Sequence, residues 1–255
     1  MKITRLLCAS DGEKCPFLPS TLERIAELRG GGAREVLFYG LEPPEEWKET
    51  LERLSMTVRV LPSEGGEAIH ILRVAEREEA SIIVILGDGN NRERDDLPGG
   101  VLKDLVHDSA VPLLVIHEND REKAAAGLFA HVIYGTNWTA PSEEALEFLL
   151  AFRDFIVEME VVHVINEKLT VRNMRELKAK LTETRKRCLD HGIDAEAHYY
   201  AGDTAEEIVT SSRDYRGSVI TIGGITRKPL LGRLFQEEPV FGVLKRSHLP
   251  VLIVP

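Results

Sequence analysis

Ser81-Ile82-Ile83-Val84-Ile85-Leu86-Gly87 reads as a buried strand that ends in glycine, and 137 residues later Ser218-Val219-Ile220-Thr221-Ile222-Gly223-Gly224 reads the same way. Apolar side chains at nearly every position, not every second one, mark a strand covered on both faces. Such strands belong to parallel sheets flanked by helices. One such run would be ambiguous. Two in the same register make an internal repeat the first hypothesis to test.

Outward from Ser81, strand-length apolar runs alternate with segments of helical period, the pattern of βαβ units. The first half places strands at Ile3–Ala9, Glu35–Tyr39, Met56–Leu61, Ser81–Leu86 and Pro112–Ile116. Helices at Ser20–Leu28, Glu45–Leu54, Glu67–Glu78 and Val101–Val106 separate them. The second half predicts strands at His131–Tyr134, Glu160–Ile165, Ala195–Tyr200, Ser218–Ile222 and Val251–Val254. Its helices are Ser142–Val157, Val171–Leu189, Thr204–Asp214 and Val240–Ser247. Single residues keep the register. Asn137 stands 126 residues after Asp11, Gly202 stands 137 after Gly65, and Pro250 stands 138 after Pro112. The 11-residue growth between the first two anchors falls mostly in the long helix at Val171–Leu189. Two domains are therefore expected, 1–122 and 127–255, joined by a linker at Glu118–Ala126.

Lys and Arg number 32 against 42 Asp and Glu, a net charge of −10. A field of that sign repels nucleic acid and anionic lipid, so neither is an expected partner. The cluster Arg185-Lys186-Arg187 reads as a solvated helix face. No apolar run reaches membrane-spanning length, and the segment after Met1 lacks a leader pattern, so the expected location is the cytoplasm. Cys8, Cys15 and Cys188 form no C-x-x-C pair and are expected to be reduced thiols.

Taken together, the repeat, the glycine loops and the closing strand Pro250-Val251-Leu252-Ile253-Val254 resemble the universal stress protein family in its tandem form. That resemblance covers both halves. It implies two doubly wound five-stranded parallel sheets of strand order 3-2-1-4-5, a Rossmann-like fold of the adenine nucleotide alpha hydrolase type. Family members carry an acidic residue after the first strand and a loop G-x2-G-x9-G-[ST] after the fourth, and nucleotide-binding members hold an adenine nucleotide there. Glycines at such a loop let backbone N–H groups approach phosphates, helped by the partial positive charge of a helix amino end.

Carried onto this chain, the resemblance implies a site for ATP or AMP in the first half, built from Asp11, Gly40, Gly87, Gly89, Gly99 and Gly100. Gly89 and Gly99 keep the interval of nine, the first interval is one residue short, and Gly100 replaces the hydroxyl residue. Glu93, Asp95 and Asp96 inside the loop repel a triphosphate unless they point outward. In the second half Asn137 replaces the aspartate, Arg227 stands at the second glycine, and Glu237-Glu238 stand at the glycine–hydroxyl pair. Their side chains occupy the space a phosphate needs, so this copy is expected not to hold ATP in the family manner.

Other constellations are weaker. The eight histidines show no carboxylate or cysteine partner at a ligand spacing along the chain, so no metal site is expected. No G-x-S-x-G elbow, complete P-loop or H-E-x-x-H helix is present, which leaves hydrolase readings without a starting residue. Trp47 reads as packing its helix on the sheet. Trp138, beside Asn137, either fills a vestigial pocket or stacks on a ligand. The leading expectation is a non-catalytic stress-response module that binds a nucleotide or partner proteins, and the alternative is weak ATPase chemistry involving Asp11 or Asp88. The resemblance also implies pairing through the last strands, as an intramolecular pseudo-dimer or a homodimer, because the apolar edges at Pro112–Ile116 and Pro250–Val254 would otherwise invite aggregation.

Overall fold

The structure, a computed structural model, describes residues 3–10, 17–87, 100–117, 127–166, 168–225 and 238–255. The chain divides into two compact units, one of Met1–Lys123 with His248–Ile253 and Pro255, the other of Ala124–Ser247 with Val254.

In the first unit, strands β1 (Arg5–Ser10), β2 (Glu35–Tyr39), β3 (Thr57–Leu61), β4 (Ile82–Gly87) and β5 (Leu113–His117) form a parallel sheet in the order β3-β2-β1-β4-β5. This is the order 3-2-1-4-5. Helices α1 (Pro19–Glu27), α2 (Glu45–Arg53), α3 (Ala68–Arg77) and α4 (Gly100–Asp108) make the crossovers. β4 is buried along its whole length, as its unbroken apolar run requires of a strand covered on both faces. Helix α3 buries Ala68, Ile71, Val74 and Ala75, the i, i+3, i+4 stripe read from its sequence. Trp47 on α2 packs at 5.0 Å edge-on to Phe17 and at 6.3 Å from Phe38 of β2, holding that helix on the sheet. Strand β10 (Val251–Val254), the last of the second repeat, pairs antiparallel with β5 in this unit, with Val251 opposite Val115 and Ile253 opposite Leu113. The apolar edge of β5 is thereby covered.

In the second unit, β6 (His131–Gly135), β7 (Glu158–Ile165), β8 (Asp194–Ala201) and β9 (Val219–Gly223) lie parallel in the order β8-β7-β6-β9, which repeats 3-2-1-4. Its helices are α5 (Ala140–Ala151), α6 (Val171–Asp190), α7 (Thr204–Asp214) and α8 (Pro239–Arg246). The insertion read from the sequence is the length of α6, 20 residues against 9 in α2. Leu177, Leu181, Thr184 and Cys188 form its single buried stripe.

The largest departure from expectation lies between α5 and β7. The helix expected over Ser142–Val157 stops at Ala151 and tightens into a 3-10 turn at Arg153–Phe155. Phe152 ends it, because its buried ring stacks between Phe129 at 4.7 Å and Phe148 at 5.0 Å. The chain turns there, and the Val157 N–H donates to the Ala130 carbonyl at 3.0 Å to begin β7. Strand β7 therefore starts at Glu158, two residues before the expected Glu160.

Among the described residues no helix is long and apolar enough to cross a membrane. Cys8 and Cys188 are buried, and burial pushes the Cys188 thiol up to about 11, so it stays protonated. Cys15 and the linker at Glu118–Ala126 lie outside the described residues.

Candidate functional site

Parallel α/β sheets receive ligands beyond the carboxyl ends of their strands, where strand order reverses. In the first unit that point lies between β1 and β4, with Ser10 opposite Leu86. Gly87 ends β4 there, level with His117 of β5. Gly40 follows β2 on the same edge, two strand spacings or roughly 10 Å from β4. It sits at φ +63°, donates its N–H to Leu61 O at 2.9 Å, and a Cβ on it would stand 3.0 Å from Ser63 Cβ. A side chain there is excluded by the turn itself, so Gly40 shapes the rim. Gly100 opens α4, and a Cβ there would meet no described atom within 4 Å. Asp11, Gly89 and Gly99, with Glu93, Asp95 and Asp96, lie outside the described residues. Tyr39 braces this edge from β2, its hydroxyl donating to Gly65 O at 3.0 Å and accepting from the Glu64 N–H at 2.9 Å.

At the corresponding edge of the second unit the described residues pack closely. The position matching Leu86 is Gly223, and a Cβ on it would stand 2.6 Å from Pro141 C and 2.8 Å from Ser142 Cα. Helix α5 thus starts hard against the end of β9. Asn137 turns its side chain onto its own loop, Oδ1 accepting from the Thr139 N–H at 3.1 Å and from Thr139 Oγ1 at 2.6 Å. Trp138, held at φ +56°, packs tilted against the His163 ring at 4.6 Å and donates Nε1–H to Thr184 Oγ1 of α6 at 3.1 Å. Lys180 Nζ lies 5.1 Å from the indole centroid. The indole is fully engaged by β7 and α6. His163 donates Nδ1–H to Thr136 O at 2.8 Å, and burial pulls its imidazole below the ordinary range. Arg227, Lys228, Arg233 and Glu237 lie outside the described residues.

No protein-family model matches the chain, and no curated protein matches it. Solved structures do. A universal stress protein from Archaeoglobus fulgidus DSM 4304 aligns over 99% of this chain and 96% of its own at TM-score 0.74 and 18% identity. A protein of unknown function from Pseudomonas aeruginosa PAO1 aligns over 98% of this chain and 92% of its own at TM-score 0.68 and 14% identity. The chain has the tandem universal stress protein fold. At these identities the likeness is one of fold, and the chemistry rests on this chain's own side chains.

Within this tandem universal stress protein fold the opposite, amino-terminal edge of the second sheet holds a group of side chains that spacing along the chain conceals. Glu160 on β7 is buried, its Oε1 accepting from His131 Nε2 on β6 at 3.1 Å and its Oε2 from His198 Nε2 on β8 at 2.7 Å. Glu158 Oε2 lies 3.4 Å from His131 Nδ1, and Glu196 Oε2 lies 3.7 Å from His198 Nε2. Behind His198, Tyr215 stacks at 4.6 Å with its hydroxyl 3.1 Å from Nδ1. Burial raises the Glu160 carboxyl, but the two imidazoles outweigh it and hold the group below its ordinary value. His131 and His198 do meet carboxylates, contrary to the expectation from spacing, because Glu160, which both contact, lies across strands from each. The one available signal was alternation: Glu158-x-Glu160 and Glu196-x-His198 each point two polar residues to one face of a strand.

Proposed function

We propose that this chain is a cytoplasmic, non-catalytic binding module that holds one adenine nucleotide, ATP or AMP, at the carboxyl edge of its first repeat and none at that of its second. The observation that supports this reading is a contrast between the two carboxyl edges. A Cβ on Gly100 would meet no described atom within 4 Å, whereas Gly223 is pressed on α5 and Trp138 is held against His163 in the second unit. A phosphate at the first edge would meet the N–H groups that open α4, and Asp11, following β1, would face the adenine as the family resemblance implies. The same reading has the repeats serve as each other's partner through their fifth strands, and the ladder of β10 on β5 supports it.

Calorimetric titration with ATP and with AMP, with and without Mg²⁺, tests the proposal. One nucleotide per chain is expected, with affinity at least tenfold weaker in Asp11→Ala and no phosphate released on prolonged incubation. No heat and no shift in melting temperature would remove the nucleotide and leave a protein-interaction module. Steady phosphate release that Asp11→Ala abolishes would instead establish an ATPase.

A further inference from the structure

We infer that the amino-terminal edge of the second sheet is a binding site for one divalent transition-metal ion, zinc by its donor chemistry, with His198 Nε2, Glu160 Oε2 and Glu196 Oε2 as ligands. The inference stands apart from the nucleotide reading, which concerns the other unit and the other edge.

The donor atoms are already gathered. All three lie within 4.8 Å of one another. His198 Nε2 is 2.7 Å from Glu160 Oε2 and 3.7 Å from Glu196 Oε2. Bonds of about 2.0–2.2 Å to a tetrahedral zinc set ligand atoms roughly 3.3 Å apart, so side-chain shifts of a few tenths of an ångström would seat the ion. One imidazole and two carboxylates leave a fourth position for water, the open form of a zinc site. Access is from solvent: the Glu196 side chain is 68% exposed and that of His198 21%, while that of Glu160 is only 9% exposed.

The surroundings supply what a metal-binding imidazole needs. In the metal-free arrangement the His198 ring proton sits on Nε2, facing Glu160, and Nδ1 accepts from the Tyr215 hydroxyl. On binding, the Nε2 lone pair goes to the metal, the ring proton resides on Nδ1, and the Tyr215 hydroxyl turns from donor to acceptor. No proton is left without a place. Tyr215 then holds the ring from behind as an outer partner, and His131 holds the second oxygen of Glu160 at 3.1 Å. His131 is a positioning residue. The two carboxylates of Glu160 and Glu196 also place negative charge where a dication would sit.

Zn²⁺ titrated by calorimetry into the full-length protein, first dialysed against chelator, is expected to bind at one ion per chain and raise the melting temperature. Co²⁺ in its place is expected to give the visible absorption of a tetrahedral nitrogen–oxygen site. Glu196→Gln changes an exposed side chain, so the fold is retained, and it should weaken Zn²⁺ at least tenfold. His198→Gln should abolish binding, with circular dichroism confirming the fold. His131→Gln should weaken it roughly 10- to 100-fold and broaden the Co²⁺ bands through the loss of Glu160 orientation. His191→Gln, on an exposed helix end, should change nothing. Absence of stoichiometric Zn²⁺ binding, or equal binding by wild type, Glu196→Gln and His198→Gln, would overturn the assignment.

Discussion

Arg5 and His131 hold the same place in the two repeats, each opening a first strand opposite a glutamate of the second, Glu35 and Glu158 respectively. Further along, Leu37 pairs with Arg59 where Glu160 pairs with Glu196. The first unit builds a band of permanent charges at this edge: Arg5 bonds Glu35, and Arg59 reaches Glu35 at 3.2 Å and Glu78 at 3.1 Å over the buried Leu37. The second unit inverts that chemistry, burying the carboxylate of Glu160 and flanking it with imidazoles. Guanidinium groups stay charged and cannot ligate a metal, whereas neutral imidazoles can. One backbone frame thus supports a structural ion-pair band in one copy and a ligand set in the other. Serine keeps the frame common to both. Ser81 Oγ accepts the Arg5 N–H at 3.0 Å, and Ser218 Oγ accepts the His131 N–H at 3.0 Å.

The described residues of the carboxyl edges also differ, Gly100 having no described atom near a would-be Cβ and Gly223 lying hard against α5, and substitutions there can break or sharpen that contrast. The two tryptophans should show the largest effects. Trp47→Ala removes a fully packed ring and should cost about 3–5 kcal/mol in urea unfolding. Trp138→Ala should cost roughly half as much, since its indole is only half-buried. Equal losses would make Trp138 an ordinary core residue.

Next in size, Gly223→Ala must push α5 away from β9 and should cost about 1–3 kcal/mol. Gly100→Ala meets no described atom and should leave stability within about 1 kcal/mol, while weakening any nucleotide bound at the α4 amino end. Similar stability losses for both would show that the two edges are equally filled. The serine pair should behave alike, Ser81→Ala and Ser218→Ala each losing about 1 kcal/mol by the same denaturation measurement. A large difference between them would mean that the common frame is not common.

The smallest expected effect is a pH dependence. Burial lowers the His163 imidazole below its ordinary value. Below pH about 6.5 the unfolded chain takes up a proton there that the folded chain refuses. Its contribution to stability is therefore complete above that pH and falls as the pH drops toward the lowered folded value. His163→Phe, which keeps a ring under Trp138, should flatten this part of the stability–pH curve. An unchanged slope would assign the dependence to other groups.

Much of this was legible along the chain. The run Ile82–Leu86, with its repeat at Val219–Ile222, read as a strand covered on both faces, and β4 is buried throughout. Gly65 and Gly202, read as equivalent, both open a crossover helix at positive φ, +144° and +155°. The extra length of α6 was visible as a shift in register. The end of α5 was not, since the helical pattern runs on past Phe152 and only the stacking of Phe152 between Phe129 and Phe148 stops it. Of the proposed nucleotide residues, Gly40, Gly87 and Gly100 can be placed on one edge, and Gly40 proves to be a rim turn.

By itself the sequence determined the elements, their order and their duplication, because apolar period and glycine placement act within a few residues of the chain. Only the tertiary structure decided that Glu160 meets His131 and His198, which are 29 and 38 residues away. Which side chains face one another on neighbouring strands depends on register, and register is settled by hydrogen bonds between strands that no local pattern connects.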